Sequence, residues 1–372
     1  MKKIKFILVA ALAALTFVSC SKDEDVKVNM VSEYQLNDEL VAAQKAKSGN
    51  DKAILLVAFG STWNNAFLAF DDTKAAYEKE FPGYDVYVSF SSDICINRAS
   101  AGENEDEEGN IVKRDYYEPR YLLHAIGAAK YSEIRVQSLQ VIPGEEFAAV
   151  VASVKKFANN GYVASAHLDD EYLKHVNIRL GMPLLDNPDV DVPAVAEQLH
   201  KTCTLESVDG IVAFMGHGNP DSYDTFKANI RYNQLEEALQ ELSPNYFVGC
   251  VDQPENFKTH VYARMVDAGL TSGKLFLHPL MSIAGDHAHN DMGGDDGEDM
   301  DPDEWELNDD GEIEDLSWKV FFSKLGYQTI VPTVNFHPQG LLELPGIRSI
   351  WIKHTKEAET LEEAYHSMYP SL

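Results

Sequence analysis

The chain carries one three-part signature twice, and this repeat limits its fold more than any other feature. In the first half the apolar run 54–59 ends in Gly60-Ser61 and leads into a helix-like stretch. A second run ends in Ser89-Phe90-Ser91-Ser92, and a third, 136–142, ends in Pro143-Gly144-Glu145. The second half keeps that order. The run 211–215 ends in Gly216-His217-Gly218, the next in Gly249-Cys250-Val251-Asp252, and the third, 277–283, in Ala284-Gly285-Asp286. Strand-length apolar runs alternating with helix-like stretches read as βαβ units around a mostly parallel sheet. The repeat therefore predicts an α/β protein of two similar lobes, each a mostly parallel sheet flanked by helices, facing each other across a cleft. Clefts of this kind are preferred ligand sites.

Apolar periodicity gives strands at 53–59, 84–90, 134–141, 210–215, 246–251, 274–283 and 328–331. It gives helices at 64–80, 119–131, 145–159, 192–202, 222–241, 255–268, 317–325 and 358–368. The chain divides into a leader (1–20), a tether with an early helix (21–50), a first lobe (51–190) and a second lobe (205–335). The boundary lies at 185–205, where the linker-like stretch 186–193 is rich in Asp and Pro. An acidic insertion occupies 293–314. The C-terminal segment 336–372 ends in a helix that packs back on the lobes.

The leader begins Met1-Lys2-Lys3-Ile4-Lys5 and continues as an apolar run, 6–18, too short to span a bilayer and suited to a signal-peptide core. It ends Phe17-Val18-Ser19-Cys20, which resembles a bacterial lipobox with Cys20 as the lipidated residue. An ordinary secretory signal with an incidental cysteine is the alternative. The acidic stretch Ser21-Lys22-Asp23-Glu24-Asp25 resembles the tether of surface-exported lipoproteins. The expectation is an exported chain, anchored by lipid to the outer membrane on its periplasmic side or at the cell surface. Its only membrane contact would be the anchor. Cys95, Cys203 and Cys250 fit neither a zinc knuckle nor a disulfide scaffold, and read as buried small hydrophobes.

A formal net charge of −29 excludes nucleic acid as a partner, because phosphates need a basic surface. The charge is concentrated. Fourteen carboxylates fall between Asp291 and Asp315, and no Lys or Arg occurs between Lys274 and Lys319. A smaller acidic run spans Glu103 to Glu108. Both look like glycine-punctuated surface insertions. A solvated loop and an oxygen-ligand calcium site are both open readings, though neither run matches an EF-hand. A diffuse pull on divalent cations is a third.

The chemistry concentrates at the ends of the second-lobe strands. In open α/β sheets, ligands bind just past the carboxyl ends of strands. Gly216-His217-Gly218-Asn219 and Ala284-Gly285-Asp286-His287-Ala288-His289-Asn290-Asp291 both occupy such positions. His217 and His287 are candidate metal ligands and proton acceptors, since neutral imidazoles beside carboxylates suit Co²⁺, Ni²⁺, Fe²⁺ or Zn²⁺. The glycines beside His217 would let a bulky ligand approach. His289 would face the same cleft if the loop is extended. Asp252 lies at the rim where the histidines converge and could complete a metal site, with a helix-cap role equally open. Asp286 and Asp291 could orient the imidazoles. Gly60, Ser61, Glu145, Gly216 and Gly218 are candidate substrate-binding positions. Glu146 shares the rim with Glu145 but reads first as a first-turn helix carboxylate. No P-loop, dinucleotide fingerprint or nucleophile elbow is present.

The motifs Val57-Ala58-Phe59-Gly60-Ser61, Val136-Gln137 through Pro143-Gly144-Glu145-Glu146, Met215-Gly216-His217-Gly218 and Ala284 through Met292 together resemble the anaerobic-type sirohydrochlorin cobaltochelatases. These are class II tetrapyrrole chelatases, alongside ferrochelatase. The likeness runs over residues 50–355, with the motifs in the family's order. It implies two α/β lobes around a tetrapyrrole cleft and a lyase-class enzyme. It also implies that His217 and His287 bind the metal and help to remove pyrrole protons. The implied partners are a tetrapyrrole and a divalent metal, with Co²⁺ as substrate, Fe²⁺ or Ni²⁺ as alternatives, and no organic cofactor. A homo-oligomer is left open. The family places a glutamate as third metal ligand at the position of Asp252. The chain departs from the family in that shorter carboxylate, in Gln140 where relatives often have histidine, in the expanded acidic stretch after Met292, and in the export signal. Export keeps two other readings in view: a haem- or tetrapyrrole-binding or dechelating lipoprotein used in scavenging, and a surface lipoprotein that binds cations through its acidic loops.

Overall fold

A computed structural model describes residues 30–102, 104–105, 110–160, 167–308, 312–313 and 315–363. The leader, Cys20 and the start of the tether lie outside these residues, as do much of the 103–108 run and the end of the expected C-terminal helix.

Helix α1 (Met30–Ser48) precedes strand β1 (Lys52–Ala58). Then come α2 (Asn64–Glu80), β2 (Tyr84–Phe90), α3 (Asp93–Ala101) and a small hairpin of β3 (Asn104–Glu105) and β4 (Ile111–Val112). The first lobe continues through α4 (Pro119–Ala128), β5 (Glu133–Ser138), α5 (Glu145–Ala158), α6 (Asp170–Leu173) and β6 (Asn177–Gly181). The second comprises α7 (Asp191–Asp209), β7 (Ile211–Gly216), α8 (Ile230–Leu242), β8 (Tyr246–Cys250), α9 (Lys258–Asp267), β9 (Gly273–Pro279), α10 (Trp318–Lys324) and β10 (Tyr327–Ile330). The chain then forms α11 (Pro345–Lys356) and β11 (Glu359–Thr360).

The two main sheets run β11-β6-β5-β1-β2 and β10-β9-β7-β8. Every pairing in them is parallel except β11 with β6. In each lobe the opening strand is central, the next lies on one side, the third on the other and the fourth beyond it. The repeat in sequence is thus a repeat in topology.

Strands covered on both faces read as unbroken apolar runs. In β1, Ala53, Leu55 and Val57 pack outward against Val41, Leu123 and Phe147 of α1, α4 and α5. Ile54, Leu56 and Ala58 pack inward. In β7, Ile211, Ala213 and Met215 face Met265 and Phe321 of α9 and α10, while Val212 and Phe214 face inward. The inward core belongs to both lobes. It joins Phe67 and Phe70 of α2, Leu199 of α7, Leu235 of α8 and Trp351 of α11.

Several expectations are corrected. The strands expected at 134–141 and 274–283 stop at Ser138 and Pro279. Beyond them Leu139, Val141 and Leu280 are buried and Met281 and Ile283 partly so, with Leu139 N donating to Val57 O at 2.8 Å and Leu341 N to Met281 O at 2.9 Å. The helix expected from 222 begins at Ile230, because Asp224 and Asn229 side chains bond to the backbone of Ala228 and Asn219 and hold a loop there. At 359–360, where a terminal helix was expected, the chain adds strand β11 to the first sheet. Residues 361–363, within the expected span, are helical, and α11, with Pro345 in its first turn, is a further helix of that segment. The acidic insertion is anchored and not freely solvated. Met300, Trp305 and Ile313 pack on the outer core of the second lobe. Buried Lys258 pairs with Glu312 at 3.1 Å. Deleting 293–314 would therefore strip that core as well as remove charge. Among the described residues no helix is long and apolar enough to cross a membrane.

Candidate functional site

Strands β8, β7 and β9 are parallel neighbours, so their carboxyl ends open on one edge. His217 follows β7, Asp252 follows β8, and His287 lies beyond β9. Backbone bonds tie the ends together: Asp252 N donates to His217 O at 2.8 Å and Leu280 N to Met215 O at 2.7 Å. The His217 and His287 rings meet edge to face, with centroids 4.8 Å apart and planes at 84°.

Each imidazole is fixed through Nδ1. In His217 this atom lies 2.8 Å from Gly218 O, and in His287 it lies 2.5 Å from Asp291 Oδ2. A carbonyl or carboxylate partner assigns the proton to Nδ1, which leaves the Nε2 lone pair available for a metal. Asp252 Oδ2 stands 3.6 Å from His217 Nδ1. The two imidazoles and Asp252 do not gather all three ligand atoms into one compact cluster. Burial pushes His287 down, but the Asp291 hydrogen bond and the charges of Asp291, Asp252 and Asp286 outweigh it, and its pKa is raised.

The adjacent glutamates at the start of α5 separate. Glu145 is buried and accepts a hydrogen bond from Thr225 N at 2.5 Å, so it binds one lobe to the other. Glu146 lies within the field of both histidines. Burial raises its pKa, and His217 and His287 pull against that rise. A carboxylate so placed takes a proton more readily than one in water.

The glycines beside His217 serve the protein's own packing. A Cβ on Gly216 would come within 2.5 Å of the Tyr232 ring, and Gly218 has φ +78°, a left-handed turn that suits glycine. Sequence reasoning missed Tyr232, which fills this space. Ser61 is buried, and its Oγ accepts from Trp63 N at 3.2 Å. Gly60, before it, packs against Phe90 and Cys95. Buried Gln140 bonds through Oε1 to Ser138 Oγ.

The loop after β9 is not extended. Residues Ala288–Met292 form a π-helical turn. Residues two apart in a helical turn point in nearly opposite directions, so His289 leaves His287 and stacks flat on Trp63, with ring centroids at 3.7 Å and planes at 2°. Burial and nearby His337 push His289 down to about 4, so it is neutral. Asp286 accepts from Trp63 Nε1 at 2.5 Å, while Nδ1 of His217 and of His287 pairs with Gly218 O and Asp291. Asn65 donates to Ala284 O at 3.1 Å. Trp63 was not anticipated. Its one signal was its position, three residues past Gly60 at the first strand's end.

The profile of the cobalt chelatase (CbiK) family matches residues 52–360. The chain belongs to that family. This chelatase is 27% identical over 313 residues to the sirohydrochlorin cobaltochelatase CbiKC of Nitratidesulfovibrio vulgaris, covering 82% of this chain and 90% of the relative. It is 25% identical over 311 residues to the sirohydrochlorin cobaltochelatase of Salmonella typhimurium, covering 82% of this chain and 96% of that one. Among solved structures it is similar to SirB from Bacillus subtilis with Fe3+, at 14% identity and a TM-score of 0.44, covering 86% of this chain and 96% of SirB. The family and its curated members make the chain a metal chelatase, so a divalent metal ion and a tetrapyrrole are its reactants.

Proposed function

We propose that this chelatase inserts Co²⁺ into sirohydrochlorin and releases two protons, a step of the cobalamin-biosynthesis type. We further propose that it does so outside the cytoplasm, anchored by lipid at Cys20. One observation carries the chemistry. Two imidazoles from separate strand ends meet at 4.8 Å, each with Nδ1 engaged and Nε2 left to bind a metal. Together they offer Co²⁺ two imidazole nitrogen ligands and keep further positions open for pyrrole nitrogens. Glu146 supplies a carboxylate that accepts a proton as the macrocycle gives it up. Asp252, the shorter counterpart of the family's glutamate, adds negative charge on the His217 side. The same donors accept Fe²⁺ and Ni²⁺, so the order of rates among the three metals is part of the test.

The purified chain is given sirohydrochlorin and Co²⁺ under anaerobic conditions, and tetrapyrrole absorbance is followed beside a His217→Ala, His287→Ala variant. Insertion faster than the uncatalysed rate, lost in the variant by roughly a hundredfold or more, is expected. Tight tetrapyrrole or haem binding without acceleration would replace this reading with an exported carrier used in scavenging.

A further inference from the structure

A second group of metal-ligating side chains lies away from the paired histidines, beside a cavity of about 320 Å³ between α7, β9 and the loop before α11. Cys203 and Glu206 are three residues apart on α7, so they share one face of the helix. Beneath them, His278 of β9 packs beside Phe214, with ring centroids at 5.7 Å. His278 Nε2 lies 2.6 Å from Glu206 Oε2 and 3.8 Å from Cys203 Sγ. The three ligand atoms all lie within 4.8 Å of one another. Helix α7 loses helical geometry at Cys203, where φ is −105° and ψ is 17°. Cys203 is buried, and Glu206 and His278 are partly exposed to the cavity.

We propose that Cys203, Glu206 and His278 form a second metal site, for a divalent ion of the zinc or cobalt type, with its remaining coordination position open to the cavity. A thiolate with an imidazole and a carboxylate selects such ions over calcium or magnesium, which take oxygen ligands. Bonds of about 2.0–2.3 Å at tetrahedral angles put ligand atoms about 3.3–3.7 Å apart. The Cys203–His278 spacing, 3.8 Å, is just beyond the upper end of this range. The Glu206–His278 contact has the geometry of a proton held where the metal would sit, and it must open by about 1 Å to admit the ion. Binding releases the Cys203 thiol proton to solvent, and the proton held between Glu206 and His278 Nε2 is exchanged through solvent onto Nδ1, which frees Nε2 to coordinate. The site does not depend on how the paired histidines are read.

The test titrates Co²⁺ alone, anaerobically, into the full chain and into the His217→Ala, His287→Ala variant. Thiolate-to-cobalt charge-transfer absorbance is the readout. One equivalent of thiolate-bound Co²⁺ is expected in both proteins. The band should vanish in Cys203→Ser, and affinity should fall roughly tenfold or more in Glu206→Gln and His278→Gln. Far-UV circular dichroism establishes that each variant is folded, and if Cys203→Ser is not, the other two decide the result. Absence of the band in the folded wild-type chain, its persistence in Cys203→Ser, or unchanged affinity in both other variants would overturn the proposal. Chelation of the tetrapyrrole is expected to survive Cys203→Ser.

Discussion

Trp63 contributes two contacts from the first lobe to the loop that carries His287. Its indole N–H donates to Asp286, and its ring covers His289. Trp63→Phe keeps the ring and removes the donor. It should lower stability by about 1–2 kcal/mol, as for a partly buried hydrogen bond to a charged group, measured as the shift in urea midpoint. An unchanged midpoint would show that the bond contributes nothing in solution. At this scale the paired histidines were legible, because a histidine flanked by small residues just past an apolar run has few purely structural uses. The division of labour between Glu145 and Glu146 was not. Adjacent residues on a helix point about 100° apart, and sequence alone does not fix which faces the cleft. Of the two aspartates expected to orient the imidazoles, Asp291 holds His287, whereas Asp286 bonds Trp63, a partner from the other lobe that local sequence does not reveal.

Between elements, His354 of α11 joins Asp191 at the start of α7. His354 Nε2 lies 3.0 Å from Asp191 Oδ1, and Nδ1 lies 3.1 Å from Met182 O. Both ring nitrogens face acceptors, an arrangement that favours the doubly protonated ring. Burial pushes the pKa down, but Asp191, the Met182 carbonyl and Asp186 more than offset this and raise it. A raised folded-state pKa gives stability that is full below the ordinary histidine value of about 6.5 and is lost as pH climbs through the folded value. His354→Gln should therefore cost more stability at pH 6 than at pH 9, read by urea unfolding at both. An equal or reversed cost would mean that the ring is neutral when folded. The alternating strands and helices were legible from period and length. Two elements beside this pair were not. Strand β6 is short and carries Arg179 at its centre, and α11 opens with Pro345-Gly346, which breaks the apolar rhythm.

For the molecule as a whole, the inward core runs unbroken from Ile54 of the first lobe to Val212 of the second. Separating the lobes would expose that core, so they should unfold together. Far-UV circular dichroism and the fluorescence of Trp63, Trp305, Trp318 and Trp351 should trace one coincident transition. Two resolved transitions would mean that each lobe is stable alone. The duplication could be read from the order of strand-end motifs. The fusion of the two copies could not, since it depends on which helix faces turn inward.

The first sheet takes its outer strand, β11, from residues 359–360, and its inner face takes Trp351 from α11. Arg135 of β5 reaches the Thr355 carbonyl at 2.7 Å. Synthesis proceeds from the N-terminus, yet the lobe made first lacks an edge and part of its lining until α11 and β11 have emerged. The first lobe therefore completes its sheet and its lining only once residues 345–360 are available. Were the chain exported as proposed, this dependence on residues 345–360 would keep its first lobe incomplete, and so threadable, for longer.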